Sequence, residues 1–382
     1  MDRSKHTSFP IGLNSAQRTG PALRVLIVDD SAFMRQALRT ILSSDPNITI
    51  VGTAVNGKEG VEKAKLLKPD IVTLDIEMPI MDGLTALPQI KAAYTPSPSV
   101  LMCSTLTKAG SHQTLKALRL GAADFIQKDP ETLGSQDPKV QAMLLDKIYA
   151  LGMAARHRPA PPPPRTSTSK SGIGGHSANA SFSANQFECI VIGSSTGGPP
   201  VLETLVGELA RSANRPPIII AQHMPALFTS SLAERLDELG KTTVLHAAHG
   251  MKLQAGTVYI CPGGKQTQLV GRAGSVTLTV GDDPAGMLYK PCANVLFISA
   301  SRIFTKRTLG VVCTGMGDDG MLGSKQVVAG GGMVWAQEGS TCVVYGMPKA
   351  VVEPGIATLV ASPMELAAGL SSLSTGAFAQ AA

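Results

Sequence analysis

No C-x-x-C pair occurs among the six cysteines, so neither a zinc ribbon nor a thioredoxin-like redox motif is indicated. Aromatic residues make up only 4% of the chain, too few for the stacking platforms of a single-strand nucleic-acid binder. No apolar run approaches the length of a membrane span. The start, MDRSKHTSFPIGLNSAQRTG, has no apolar core of the secretory kind, so a cytoplasmic, non-embedded protein is expected. Acidic residues are outnumbered, with a net charge of +6, but the excess is local. Residues 1–24 hold four basic and one acidic residue, and residues 152–186 hold four basic and no acidic ones. Without those two segments the chain carries −1, so the folded bodies are near neutral and no nucleic-acid partner is expected.

What is present in quantity is apolar material, 43% of 382 residues, enough for two cores of ordinary size. Between Gly152 and Gln186 hydrophobic periodicity vanishes into Pro, Ser, Gly and Ala, which is linker composition. The expected organisation is an N-terminal extension at 1–22, a domain at 23–147, a flexible linker at 148–186, a second domain at 187–372 and a tail at 373–382. Five strand-like runs (23–30, 48–54, 70–79, 99–105, 123–128) alternate with helical patterns in the first domain. Alternation of this kind predicts a parallel sheet wound on both faces, with ligands at the carboxyl ends of its strands. At those ends stand Asp29, Asp30 and Asp75, then Ser104 and Lys128. Three converging carboxylates repel unless a hard cation neutralises them, and an all-oxygen set suits Mg²⁺. A lysine beside them can pair with the oxygens of an incoming phosphoryl group.

The second domain opens on CIVIGSSTGGPPVLETL, which reads as strand, turn, helix. Neither phosphate-loop pattern, G-x-x-x-x-G-K-[ST] or G-x-G-x-x-G, is there. Gly193-Ser194-Ser195-Thr196-Gly197 does match the nucleophile elbow G-x-S-x-G with Ser195 central; a plain small-residue turn is the alternative. A nucleophilic serine needs a base, and the base an orienting carboxylate. Of the histidines, His6, His157 and His176 fall in flexible segments and His112 in the first domain, leaving His223, His246 and His249. His223 follows the apolar strand PIIIAQ directly, where a reactive side chain is presented. CTGMGDDG then places Asp318 and Asp319 in a glycine-framed turn that could also offer N–H donors to an oxyanion. Further strands are expected at 217–225, 241–248, 308–320 and 331–338, with a hairpin-like insert over 255–281. The order Ser, His, Asp differs from the Ser, Asp, His of α/β-hydrolases.

Residues 23 to about 130 resemble a response-regulator receiver domain, in VDDSAFMRQ, TLDIEMPIMDG, LMCS and DFIQK. The resemblance implies Mg²⁺ at Asp29, Asp30 and Asp75, phosphorylation of Asp75 by a chemotaxis histidine kinase, and switching through Ser104 and Phe125 with Lys128 at the site. Receivers usually place proline directly after this lysine; here Asp129 intervenes. Residues 187 to about 370 resemble the catalytic domain of chemotaxis protein-glutamate methylesterases, in IGSSTGGP, AQHMP, YICPGGK, CTGMGDDG and CVVYGMPK. That resemblance implies Ser195 as nucleophile, His223 as base and Asp319 as orienter, with Thr196 and Met316 lining the site and the Met316 N–H facing the oxyanion. The family often has Asn where Asp318 stands, a charge that either raises the basicity of His223 or points into solvent.

The implied protein has two doubly wound parallel α/β domains, the first flavodoxin-like and the second Rossmann-like. Its implied activity is phosphorylation-activated hydrolysis of glutamate γ-methyl esters, and deamidation of glutamines, on methyl-accepting chemoreceptors, with the unphosphorylated receiver covering the Ser195 cleft. Mg²⁺ belongs to the receiver, and ester hydrolysis by such a trio calls for no cofactor. The rival readings are a regulator whose second domain only binds partners, and an esterase or amidase acting on other substrates.

Overall fold

In a computed structural model, residues 21–105, 107–128, 138–156, 186–209, 212, 214–282 and 287–373 are described. They divide into two compact units. The expectations for the N-terminal extension up to residue 20, the Asp129-Pro130 turn, and His157 and His176 lie outside the described residues.

The chain from Leu23 to Arg156 carries β1 (Leu23–Val28), α1 (Ala32–Ser43), β2 (Ile48–Ala54), α2 (Gly57–Leu67), β3 (Ile71–Asp75), α3 (Gly83–Lys91), β4 (Ser99–Ser104), α4 (Lys108–Arg119), β5 (Asp124–Gln127) and α5 (Pro138–Arg156) in order. The strands form one sheet in the order β2-β1-β3-β4-β5, every pair parallel. All five residues of β3 and all six of β4 are buried, as continuous apolar runs in a sheet covered on both faces should be. Side-chain caps start the helices. Ser31 accepts from Met34 N, Asn56 from Glu59 N and Asp82 from Thr85 N, each satisfying an N–H that the helix leaves open.

The reading of residues 148–186 as linker needs correcting at its start. Helix α5 runs on to Arg156, with Ile148, Leu151 and Ala155 buried. Arg156 itself forks onto Asp70, Nε to Oδ1 at 3.0 Å and Nη2 to Oδ2 at 2.6 Å. It also donates to the carbonyls of Pro21 and Ala22. Composition missed this because Gly152, Ala154 and Ala155 look like linker, whereas Gly152 is needed here: a Cβ would sit 2.8 Å from Leu23 Cδ2.

The second unit is built on β6 (Cys189–Ser194), α6 (Gly198–Gly207), β7 (Ile218–Gln222), α7 (Ala226–Asp237), β8 (Thr243–His246) and β9 (Thr257–Ile260), then β10 (Gln266–Arg272), β11 (Ser275–Gly281) and α8 (Ala293–Phe304). It continues through β12 (Thr308–Val312), α9 (Met321–Ala329), β13 (Met333–Gln337), α10 (Met347–Val352), β14 (Leu359–Ala361) and α11 (Pro363–Ser372). Seven strands make a parallel sheet in the order β14-β13-β12-β6-β7-β9-β8. The chain leaves β6 for β7 on one side and later returns to β12 on the other. The carboxyl end of β6 is therefore the switch point at which open α/β sheets bind ligands.

The insert expected over 255–281 is two things. Thr257–Ile260 is fully buried and pairs in parallel between β7 and β8, so it belongs to the main sheet. Only β10 and β11 form the antiparallel hairpin. Its inner residues Leu269, Val276 and Leu278 share a core with Leu296, Ala300 and Phe304 of α8. The short edge strand β14 was not expected from sequence at all.

Candidate functional site

At the end of β6 the two adjacent serines have opposite fates. Ser194 is fully buried, and its hydroxyl donates to Gln222 Oε1 at 2.6 Å. Gln222 Nε2 in turn donates to the Ser195 carbonyl at 2.9 Å. Strand register pairs Ser194 with Gln222, so the next residues, Ser195 and His223, stand side by side on neighbouring strand ends. Side chains alternate along a strand, so both leave the face that the Ser194–Gln222 pair occupies. The His223 N–H donates to the Ser194 carbonyl at 3.0 Å, which continues the ladder to this point. Ser195 is half-buried, and its own N–H donates to the Thr314 carbonyl at 3.0 Å.

The turn after Ser195 differs in one respect from the elbow that the motif describes. Its left-handed residue is Gly197, at φ 78°, and not the serine. Gly198 follows because a Cβ there would lie 2.0 Å from Gln222 Oε1, an impossible approach. Gly315 in the facing loop is required for a similar reason: its Cβ would lie 2.8 Å from Ser195 Cβ.

His223 Nε2 lies 2.8 Å from Asp319 Oδ2. Asp319 is buried at the N-terminus of α8, where Oδ2 also accepts from Ala293 N at 2.7 Å. Its Oδ1 accepts from Asn294 N at 3.0 Å, Gly320 N at 2.9 Å and the Cys292 thiol at 3.1 Å. Burial alone pushes this carboxyl up, but the hydrogen bond and charge of His223 and the Asn294 and Ala293 N–H groups together hold it below the ordinary carboxylate value. A carboxylate can only accept, so Nε2 carries a proton, and in the neutral ring Nδ1 is then the nitrogen with the lone pair. Nδ1 is buried and without a hydrogen-bond partner among the described residues. The imidazole is thus the tautomer of a base whose accepting nitrogen is unoccupied.

Asp318 is exposed, the second of the two alternatives for it, while Thr196 is buried with its carbonyl held by the Thr314 hydroxyl at 2.9 Å. Met316 is half-buried, and its N–H makes no hydrogen bond among the described residues. The two other candidate histidines lie elsewhere. His246 ends β8, two strands away from His223, and bonds to Thr229 Oγ1 at 3.1 Å; His249 is exposed. Sequence reasoning missed Gln222, Cys292, Asn294 and Tyr289. The Tyr289 ring is stacked on His223 with centroids 4.2 Å apart and planes at 6°. The one signal for Cys292 and Asn294 was the amphipathic run that follows KPC, whose helix start is where a buried carboxylate is stabilised.

In the first unit, β1 and β3 bring Asp29, Asp30 and Asp75 together, with one oxygen of each within 4.8 Å of the others. Lys128 Nζ lies 2.5 Å from Asp75 Oδ2 and 3.1 Å from Asp29 Oδ1. Its backbone N–H donates to the Ser104 carbonyl at 2.6 Å. Ser104 and Phe125 are both buried, on adjacent strands. The Asp75 carboxyl is pushed up to about 6, first by burial, against the Lys128 hydrogen bond and with the Asp29 and Asp30 charges adding to the rise. Asp29 Oδ2 is buried with no hydrogen-bond partner among the described residues. A buried oxygen left open, in an all-carboxylate cluster with one lysine, is a donor set that fits a hard divalent cation.

Two family models match the chain: the response regulator receiver domain over residues 25–134 and CheB methylesterase over residues 190–370. The chain is 40% identical over 352 residues to a protein-glutamate methylesterase/protein-glutamine glutaminase of Vibrio parahaemolyticus serotype O3:K6 (strain RIMD 2210633), covering 88% of this chain and 95% of the relative. It is 43% identical over 355 residues, with the same coverage, to protein-glutamate methylesterase/protein-glutamine glutaminase 1 of Oleidesulfovibrio alaskensis (strain ATCC BAA-1058 / DSM 17464 / G20). The crystal structure of the Thermotoga maritima CheB methylesterase catalytic domain is 37% identical, with a TM-score of 0.47, covering 48% of this chain and 97% of that one.

Proposed function

The chain belongs to the protein-glutamate methylesterase/protein-glutamine glutaminase family, and we propose that Ser195, His223 and Asp319 perform its hydrolysis. The protein hydrolyses glutamate γ-methyl esters and deamidates glutamines under phosphorylation control. Its substrates are methyl-accepting chemoreceptors, the role is sensory adaptation in chemotaxis, and a chemotaxis histidine kinase supplies the phosphoryl group to Asp75. The observation that carries the assignment is the shared register of Ser195 and His223 with Asp319 bonded behind the imidazole.

In the reaction Ser195 Oγ attacks the ester carbonyl while His223 Nδ1 takes its proton. Asp319 keeps the Nε2 proton in place and offsets the imidazolium charge that results. The N–H of Met316 faces the oxyanion, and Thr196 lines the site. His223 returns its proton to methoxide, methanol leaves, and water attacks the glutamyl-enzyme with His223 again as base. With a glutamine substrate, ammonia takes the place of methanol. In the receiver, Asp29, Asp30 and Asp75 would hold Mg²⁺, which when bound would neutralise the charge that develops in phosphoryl transfer. Lys128 pairs with the phosphoryl oxygens, and Ser104 and Phe125 respond to them.

The test is methanol release from methylated chemoreceptor, with and without a small phosphodonor and Mg²⁺. Release that rises with phosphodonor and vanishes in Ser195→Ala supports both chemistry and control. No release from folded, phosphorylated protein favours another acyl substrate or a binding role.

A further inference from the structure

Among the described residues His223 makes one polar side-chain contact, to Asp319, and a single hydrogen bond leaves an imidazole free to swivel about the N–H···O axis. The second restraint on the ring is the parallel stack with Tyr289. That tyrosine is itself fixed. Gln266, buried at the start of β10, donates from Nε2 to the Tyr289 carbonyl at 2.7 Å and accepts at Oε1 from Cys292 N at 2.9 Å. Gly264 N adds a bond to the Lys290 carbonyl at 3.0 Å. The four residues Tyr289 to Cys292 therefore form a strap tied to the hairpin. One end lies on the imidazole, and the other donates the Cys292 thiol to Asp319.

We propose that Tyr289 is a positioning residue for the hydrolysis: its ring, tethered through Gln266, fixes the plane of His223 so that Nε2 meets Asp319 while Nδ1 stays open to Ser195. An aromatic face also favours the imidazolium formed as the serine proton is taken, since a ring quadrupole attracts a cation lying over it. The restraint acts on the base and not on the ester, so it enters turnover and leaves substrate affinity alone. The role is carried by the ring face, and the hydroxyl is dispensable to it.

This inference rests on the hydrolytic reading, and its test has one arm that does not. In full-length protein, Tyr289→Phe keeps the face and Tyr289→Leu removes it. The expected result is kcat within about twofold of wild type for Phe and lowered at least about tenfold for Leu, with KM unchanged in both. The independent arm is the exchange-protected, downfield imidazole N–H proton resonance of the His223–Asp319 bond. It should persist in wild type and Tyr289→Phe, and broaden or vanish in Tyr289→Leu, whether or not any substrate is turned over. A Leu variant with wild-type kcat and an intact resonance overturns the proposal. So does a Phe variant as impaired as Leu, which would place the role in the hydroxyl. Absent methanol release from a wild-type protein that shows the resonance counts against the hydrolytic reading and leaves the stack tested by the spectrum.

Discussion

The hydroxyl of Ser194 lies 2.6 Å from Gln222 Oε1, inside the fold, and this single bond separates the roles of two neighbouring serines. It also holds the Gln222 amide in the orientation that lets Nε2 reach the Ser195 carbonyl. Ser194→Ala leaves a buried carbonyl oxygen without its donor, a loss of about 1–3 kcal/mol of stability. Turnover per folded molecule should survive that change. Ser195→Ala should do the reverse, with unfolding close to wild type and hydrolysis lost. Paired denaturation and methanol-release measurements check both, and a Ser194→Ala protein that is fully stable but inactive would reverse the assignment of the two residues.

Asp319 sits among four donors besides His223, from Cys292, Ala293, Asn294 and Gly320. Asp319→Asn turns one acceptor into an NH₂ group and removes the charge that steadies the imidazolium, so kcat should fall by about 10³- to 10⁴-fold. The same carboxyl predicts an acid limb in stability. Its folded value is held below the unfolded one of about 3.8. Its contribution is therefore complete above that unfolded value and is lost as pH falls through the folded value. The stability gap between wild type and Asp319→Asn should narrow as pH falls below the unfolded carboxyl value, read from urea midpoints at each pH. A gap independent of pH would mean that the carboxyl is not ionised at neutrality.

The open Oδ2 of Asp29 predicts a cation-dependent gain in stability. Binding to the folded state alone, at a hundredfold excess over Kd, adds about 2.7 kcal/mol. Mg²⁺ should raise the melting temperature of the full chain, and Asp29→Asn or Asp75→Asn should abolish the rise. Ser195→Ala should keep it, because that change touches the other unit. An equal rise in all four proteins would indicate non-specific screening instead of a site.

How much of this was legible beforehand depended on whether a residue's role was local. The alternating runs disclosed both sheets, because strands covered on two faces are largely apolar, and β3 and β4 are buried at every position. Ser195, His223 and Asp319 could be singled out because each follows an apolar strand or a glycine-framed turn. Thr257–Ile260 was misassigned because a four-residue run beside a hairpin does not reveal whether it pairs within the hairpin or with β7. Tyr289 and Gln266 carried no signal, since their meaning comes from a contact between a loop and a strand end distant in the chain. Cys292 was not singled out in the sequence; burial pushes its thiol up, and the thiol donates to Asp319.

Arg156 provides the clearest case in which composition and structure disagree, and the disagreement is measurable. Its guanidinium grips both oxygens of Asp70, which also accepts from Arg24 N at 2.8 Å, so the end of α5 is tied to the amino ends of β1 and β3. The ion pair is partly buried and bidentate, the geometry in which such pairs contribute beyond the surface norm. Arg156→Ala should cost the first unit about 1–3 kcal/mol, since Asp70 and the carbonyls of Pro21 and Ala22 all lose a donor. The loss should be concentrated at the helix end, visible as faster amide hydrogen exchange over residues 150–156 with little change around Asp75. Were these residues linker, as their Gly and Ala content suggests, their amides would exchange rapidly in the wild-type protein as well. Protection that depends on Arg156 separates the two descriptions.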